Sequence, residues 1–240
     1  MRPFKMLALS LIALTTTLGA MAQTVDDIVN KHVEAMGGAA KLKSLNTVYF
    51  EGNLTVPGAE LPLKLYQVNN KALRLEFEAG GSENIQVITK EQGWVLMPVQ
   101  NITSPTDLPA EQLKLAQRQL SLDGELLDYK AKNKKVELLG KETTDGQETY
   151  KLKVTDAEGT STILLVDAGT YYLVGSEMTM NVQGQSVVIK SSFSDYKKTP
   201  EGYIFPHTTE QSVGGQSSGA TFTKIEVNKP IDEAIFKKPA

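Results

Sequence analysis

Cysteine is absent from the 240 residues. That excludes disulfides, thiolate nucleophiles, iron–sulfur clusters, cysteine zinc sites and lipid attachment through an N-terminal cysteine. Histidine is scarce, with only His32 and His207, so any imidazole chemistry must run through one of these two. There is no excess of positive charge: 25 Lys and Arg stand against 28 Asp and Glu, a net charge of −3. Phosphate backbones need a basic surface, so nucleic acid is excluded as the main partner. No phosphate-binding glycine loop occurs, and no apolar run reaches the roughly 20 residues of a membrane-spanning helix. What is present is ordinary for a packed chain, with 40% hydrophobic and 22% charged residues, which excludes wholly disordered and collagenous classes.

The first residues read as an export signal. Arg2 and Lys5 give a positive start, residues 6–14 a short apolar run, and Ala20-Met21-Ala22 the small residues a signal peptidase reads. The expected organisation is a cleaved signal at 1–22 and one domain at 23–240, exported and not lipid-anchored.

The mature chain opens with an amphipathic helix. Thr24 is placed to cap it, Asp26 and Asp27 suit its positive end, and Val25, Ile28, Val29, His32 and Met36 recur at three- and four-residue steps. Gly37-Gly38 stops it, and 39–45 adds another turn. From Thr47 the period changes to two, predicting half-buried strands around 48–54, 61–66, 73–78, 85–89 and 94–97. Residues 99–109 read as a loop, 110–120 as a helix of strong helix formers, and the alternation then resumes over 136–139, 148–154, 160–166, 171–180, 186–193, 203–210 and 220–227. Asp145-Gly146, Ala168-Gly169 and Gly214-Gly215 supply hairpin turns. The fold class is therefore mainly β: one strongly curved antiparallel sheet of about 11–12 strands, with an N-terminal helix, a helical insert and a packed tail at 228–240.

No catalytic constellation emerges. Gly215-Gln216-Ser217-Ser218-Gly219 matches the nucleophile-elbow spacing, but a strand follows it where a helix is needed, so it reads as a hairpin tip. His32 and Glu34 are two apart on a helix and diverge, which disfavours metal ligation. Arg74, Glu76 and Glu78 read as a solvated, charge-balanced strand face. A hydrolase or lyase using His207 with a nearby carboxylate is a minor alternative, and no metal or cofactor is expected.

The surplus is apolar. So long a sheet exposes one apolar face to only two helices and a tail, so it must curl, and an incompletely filled curl leaves an apolar hollow. The expected lining is Phe50, Leu63, Leu65, Leu75, Phe77, Trp94, Leu96, Met178, Met180, Ile189 and Phe193, with methionine suited to ligands of variable shape. The helix at 110–120, through Leu113, Ala116 and Leu120, is the expected lid.

The export signal, the helix ending in Glu34-Ala35-Met36-Gly37-Gly38-Ala39-Ala40-Lys41-Leu42, the strand opening Thr47-Val48-Tyr49-Phe50-Glu51-Gly52 and the closing Ile231-Asp232-Glu233-Ala234-Ile235-Phe236 together resemble the exported LolA-like proteins of Bacteroidetes-type bacteria, grouped with outer-membrane lipoprotein-sorting proteins. The resemblance implies an incomplete barrel with a helical lid, a periplasmic location, no catalysis, and a hollow that takes lipids or lipoprotein acyl chains with transient membrane-protein contact. It also implies an alternative, an envelope sensor or protein-interaction module of the RseB type.

Overall fold

The computed structural model describes residues 23–144, 146–182 and 185–239. The export signal read in residues 1–22 lies outside them. Helix α1 (Val25–Ala35) starts at a capping box, in which the Thr24 hydroxyl accepts from the Asp27 N–H and the Asp27 carboxylate accepts from the Thr24 N–H. These bonds satisfy backbone donors that a helix start otherwise leaves unpaired. After α2 (Ala39–Lys43) come β1 (Thr47–Val56), β2 (Ala59–Val68), β3 (Ala72–Ala79), β4 (Ser82–Thr89), β5 (Gly93–Met97) and β6 (Ile102–Asp107). Helix α3 (Ala110–Ala116) follows, and a 3-10 turn (Gln117–Leu120) completes the helical segment expected over 110–120. The second series is β7 (Lys135–Thr144), β8 (Gln147–Thr155), β9 (Ser161–Asp167), β10 (Leu173–Val182), β11 (Gln185–Lys198), β12 (Ile204–Val213) and β13 (Gln216–Val227).

All thirteen strands of the described residues form one antiparallel sheet, ordered β6-β5-β4-β3-β2-β1-β13-β12-β11-β10-β9-β8-β7. Two meanders are thus sewn together by the β1–β13 pair, while β6 and β7 remain as free edges and the sheet does not close into a barrel. One strand departs from the sequence reading: β6 occupies residues read as loop. Its Pro105 lacks an N–H, which an edge strand tolerates and a central strand does not.

Curvature has a local cause where the meanders meet. The β1–β13 register shifts between Glu51 and Gly52, and a Cβ on Gly52 would stand 1.9 Å from the Thr221 carbonyl oxygen. Only glycine fits this approach, and such a bulge raises local bend and twist.

Helix α1 buries Ile28 and Val29 against Leu152, Val154, Leu164 and Val166 of β8 and β9. The other end of the same sheet face is covered by the α3 segment, where Ala116 and Leu120 pack on Leu73 and Ile88. The opposite face of β3–β5 is covered by the C-terminal tail, a strap whose short 3-10 turn (Glu233–Phe236) seats Phe236 on Ala72, Ile85, Val87 and Trp94. Among the described residues, no helix is long and apolar enough to cross a membrane.

Candidate functional site

Register decides which side chains share the concave face, because directly paired residues in antiparallel strands point the same way. Phe50 of β1 pairs with Leu65 of β2, and Leu65 pairs with Leu75 of β3; in the next row Leu63 pairs with Phe77. All five sit in one apolar cluster with Phe222, Phe205 and Leu54. Phe50 is its hub, edge-on to Phe205 at 5.6 Å between ring centres and tilted on Phe222 at 4.9 Å. Leu54, Leu65, Leu75, Phe77, Phe205, Ala220 and Ile225 are only half-buried there. The middle of the concave face therefore has less cover than either end.

The face continues through β12 into the second meander. Phe193 pairs with Thr209 and through it with Ala220, while Ile189 pairs with Met178. Met178, Met180, Ile189 and Phe193 are half-buried and belong to the same side as Leu164 of the α1-covered cluster. Nine of the eleven expected lining residues thus share one continuous sheet face.

Trp94 and Leu96 do not, and their placement corrects the sequence reading. Trp94 pairs with Val87, and Val87 with Arg74, so this row faces away from Leu73 and Leu75. Leu96 pairs with Ile85 on that same outer side. Both lie under the strap with Ile231, Ile235 and Phe236, and the Trp94 indole N–H donates to the Phe236 carbonyl at 3.4 Å. A one-residue change in strand phase exchanges the two faces. The concave side of β5 instead carries Gly93 and Val95, and a Cβ on Gly93 would come within 2.8 Å of Leu113 and 2.9 Å of Leu108. Glycine here lets the α3 segment approach the strand closely. Arg74, read as solvated, is half-buried, paired with Glu76 at 2.5 Å and donating to the Ile235 carbonyl at 2.7 Å.

The α3 segment holds the first meander by apolar contacts and the second by charge. Leu113, Ala116 and Leu120 face β3–β5. Across the mouth, Arg118 pairs with Asp156 at 2.7 Å and Lys114 with Glu158 at 2.9 Å, both acids lying in the β8–β9 turn. Burial pushes the Asp156 carboxyl up, but the Thr160 N–H, the Arg118 guanidinium and the Glu158 N–H outweigh it and hold the group below the ordinary 3.8. Beneath this bridge lies a hollow of about 630 Å³, open to solvent, where Leu115, Ile163, Met178 and Met180 meet charged residues of the rim. A second hollow of about 600 Å³ touches Leu63 and Phe77 but is bordered by Glu51, Glu76, Glu78 and Glu83. Neither reaches Phe50, Leu65 or Leu75, which share one apolar cluster, Leu65 and Leu75 also packing on the α3 segment. The apolar floor is therefore closed by the protein's own side chains in this conformation.

Both histidine rings meet backbone carbonyl oxygens. His207 Nδ1 lies 2.7 Å from the Phe222 carbonyl oxygen across the β12–β13 pair, and no carboxylate bonds to it among the described residues. The serine motif forms a hairpin tip, with Gly214-Gly215 turning directly into strand β13. His32 Nδ1 meets the Tyr171 carbonyl oxygen at 2.8 Å, docking the end of α1 on the β9–β10 turn. Burial lowers the His32 pKa below its ordinary 6.5, and the Tyr171 bond only partly opposes this. A lowered folded-state value means that the neutral form stabilises the fold above pH 6.5, and that this contribution is lost as pH falls through the depressed value. Acidification from pH 7.5 to 5.5 should therefore lower the Tm of the native chain, and should lower it less in His32→Gln, as read by differential scanning fluorimetry.

No family model matches the chain, and no curated protein matches its sequence. Solved structures do match in fold. A LolA superfamily protein from Nitrosomonas europaea shares 16% identity with a TM-score of 0.56, over 90% of this chain and 98% of that one. A DUF1329 family protein from Desulfovibrio piger gives 13% identity and a TM-score of 0.61, over 89% and 97%. An outer membrane lipoprotein-sorting protein domain from Vibrio parahaemolyticus gives 13% and 0.56, over 88% and 95%. The fold is LolA-like, and at these identities the likeness is one of fold alone.

Proposed function

We propose that the chain is an exported, non-enzymatic carrier or chaperone that shelters acyl chains of lipids or lipoproteins on its concave sheet face. The carrying observation is the half-buried apolar floor of Leu65, Leu75 and Phe77 beside the buried Phe50, with Leu65 and Leu75 covered by a short helical segment that two ion pairs bridge to the far side of the mouth. Displacing that helix would present a ready apolar surface, at the cost of its packing on Leu73 and Ile88 and of the Gln117 and Gln67 hydrogen bonds. Each methylene buried contributes about 0.8 kcal/mol, so one long chain supplies on the order of 10 kcal/mol before ordering costs. The lipoprotein-sorting description of one structural neighbour supports this reading. Residues 1–22 supply the export signal it requires.

The alternative, a module that binds proteins by strand addition, is less well supported by the sheet edges. Strand β7 carries a bulge between Leu138 and Gly140, and β6 is short and contains Pro105. Both features oppose pairing with a further strand.

Extraction of the purified protein followed by mass spectrometry, together with titration of a fluorescent fatty acid, tests the proposal. Co-purifying lipid and saturable probe binding are the expected results; neither appearing would overturn it. Arg118→Gln removes the half-buried bridge, worth about 1 kcal/mol, and should speed probe uptake roughly fivefold with little change in final affinity. Stopped-flow fluorescence reads this directly, and raised salt should narrow the difference.

A further inference from the structure

We propose that Met178 and Met180 form an oxidation site that controls acyl-chain binding: a hydroperoxide converts their thioethers to sulfoxides, affinity falls, and reduction restores it. This rests on the carrier reading and names a modification that would regulate it.

The chain has no thiol, so among sulfur side chains only methionine is left to react with two-electron oxidants. The methionines of the described residues are Met36, Met97, Met178 and Met180. Met97 is only 9% exposed. Met36 caps the end of α1. Met178 and Met180 stand two residues apart on one face of β10, are half-buried, and both border the solvent-open hollow beneath α3. An oxidant can reach these sulfurs without any unfolding.

The chemistry balances simply. A sulfur lone pair attacks one peroxide oxygen, a sulfur–oxygen bond forms and the O–O bond breaks. Sulfur loses two electrons, and the departing hydroxide or alkoxide takes the proton from the transferred oxygen and leaves as water or an alcohol. The product carries a strong acceptor where the thioether was apolar. Leu115 lines the same hollow, and an acyl chain laid over Met178 and Met180 would have to strip water from that oxygen, which costs affinity.

The experiment treats the purified full chain with hydrogen peroxide, maps methionine oxidation by peptide mass spectrometry, and titrates a fluorescent fatty acid before and after. Parallel samples carry Met178→Leu/Met180→Leu, which keeps apolar volume, or Met36→Leu. Met178 and Met180 should oxidise ahead of Met97. On oxidation, affinity should fall about tenfold or more in the native chain and in Met36→Leu and return there after methionine sulfoxide reductase treatment, while the double leucine variant stays within about twofold of its own value before oxidation. Oxidation of Met178 and Met180 no faster than Met97 overturns the proposal, as does equal loss of affinity in the double leucine variant. Probe binding that survives full oxidation defeats this inference alone, whereas no binding before oxidation defeats the carrier reading with it.

Discussion

Phe236→Ala is expected to lower the free energy of unfolding by about 3–5 kcal/mol while leaving fatty-acid affinity per folded molecule unchanged. Phe236 is 5% exposed and packs on Ala72, Ile85, Val87 and Trp94, the last fully buried. Its removal opens a void the size of a phenyl ring between the strap and the sheet, and Trp94 loses its main neighbour there. The strap's polar fastenings, Arg74 on the Ile235 carbonyl, the Trp94 indole N–H on the Phe236 carbonyl and the Lys71–Glu233 and Lys238–Asp107 ion pairs, cannot refill that space. The binding half of the expectation follows from register: the Trp94–Val87–Arg74 row points away from the Leu65–Leu75 row. Urea unfolding reads the first effect, and probe titration well below the midpoint reads the second. Stability loss below about 1 kcal/mol, or affinity that falls while the protein stays folded, would show that the two faces are not independent.

Much of this architecture is written in local pattern. The alternation of Leu73, Leu75 and Phe77 with Arg74 and Glu76 identifies β3 and separates its two faces, because a pleated strand has a period of two. Thr24 with Asp27 marks the start of α1, and Gly214-Gly215 marks a hairpin, because each requires a specific residue type at a specific place. Alternation alone, however, does not tell which face of a strand is concave. Trp94 and Leu96 alternate as well as any pair in the chain, yet they lie on the outer side, because their face is set by pairing with Val87 and Ile85. The only local hint is Gly93, whose missing side chain admits Leu113 and Leu108. The bridge was equally hidden, since Arg118 and Asp156 are 38 positions apart and neither belongs to a motif. Strand β6 is not legible locally, because proline argues against strands in general, while the edge position that excuses Pro105 is a property of the whole sheet.

Leu65→Glu should reduce fatty-acid affinity by more than about tenfold at pH 7.5, with partial recovery on acidification. Leu65 stands at the junction of the floor and the α3 segment, paired on one side with Phe50 and on the other with Leu75, and packed against both clusters. A carboxylate there leaves water for apolar surroundings, so its pKa rises and its charged form opposes any chain laid across it. Protonation removes most of that penalty, so affinity should climb as pH falls through the raised value. The fold loses about 2–4 kcal/mol from the deleted leucine contacts, so circular dichroism must first establish that the variant is folded. Phe193→Glu supplies the parallel case further along the same face, where side chains are half-buried and the structural cost is smaller. If both variants fold and both bind the probe as the native chain does, the concave face is not where the acyl chain lies. Loss in both, with Val188→Glu on the opposite face of β11 unaffected, is the pattern that the continuous face from Leu75 to Met178 requires.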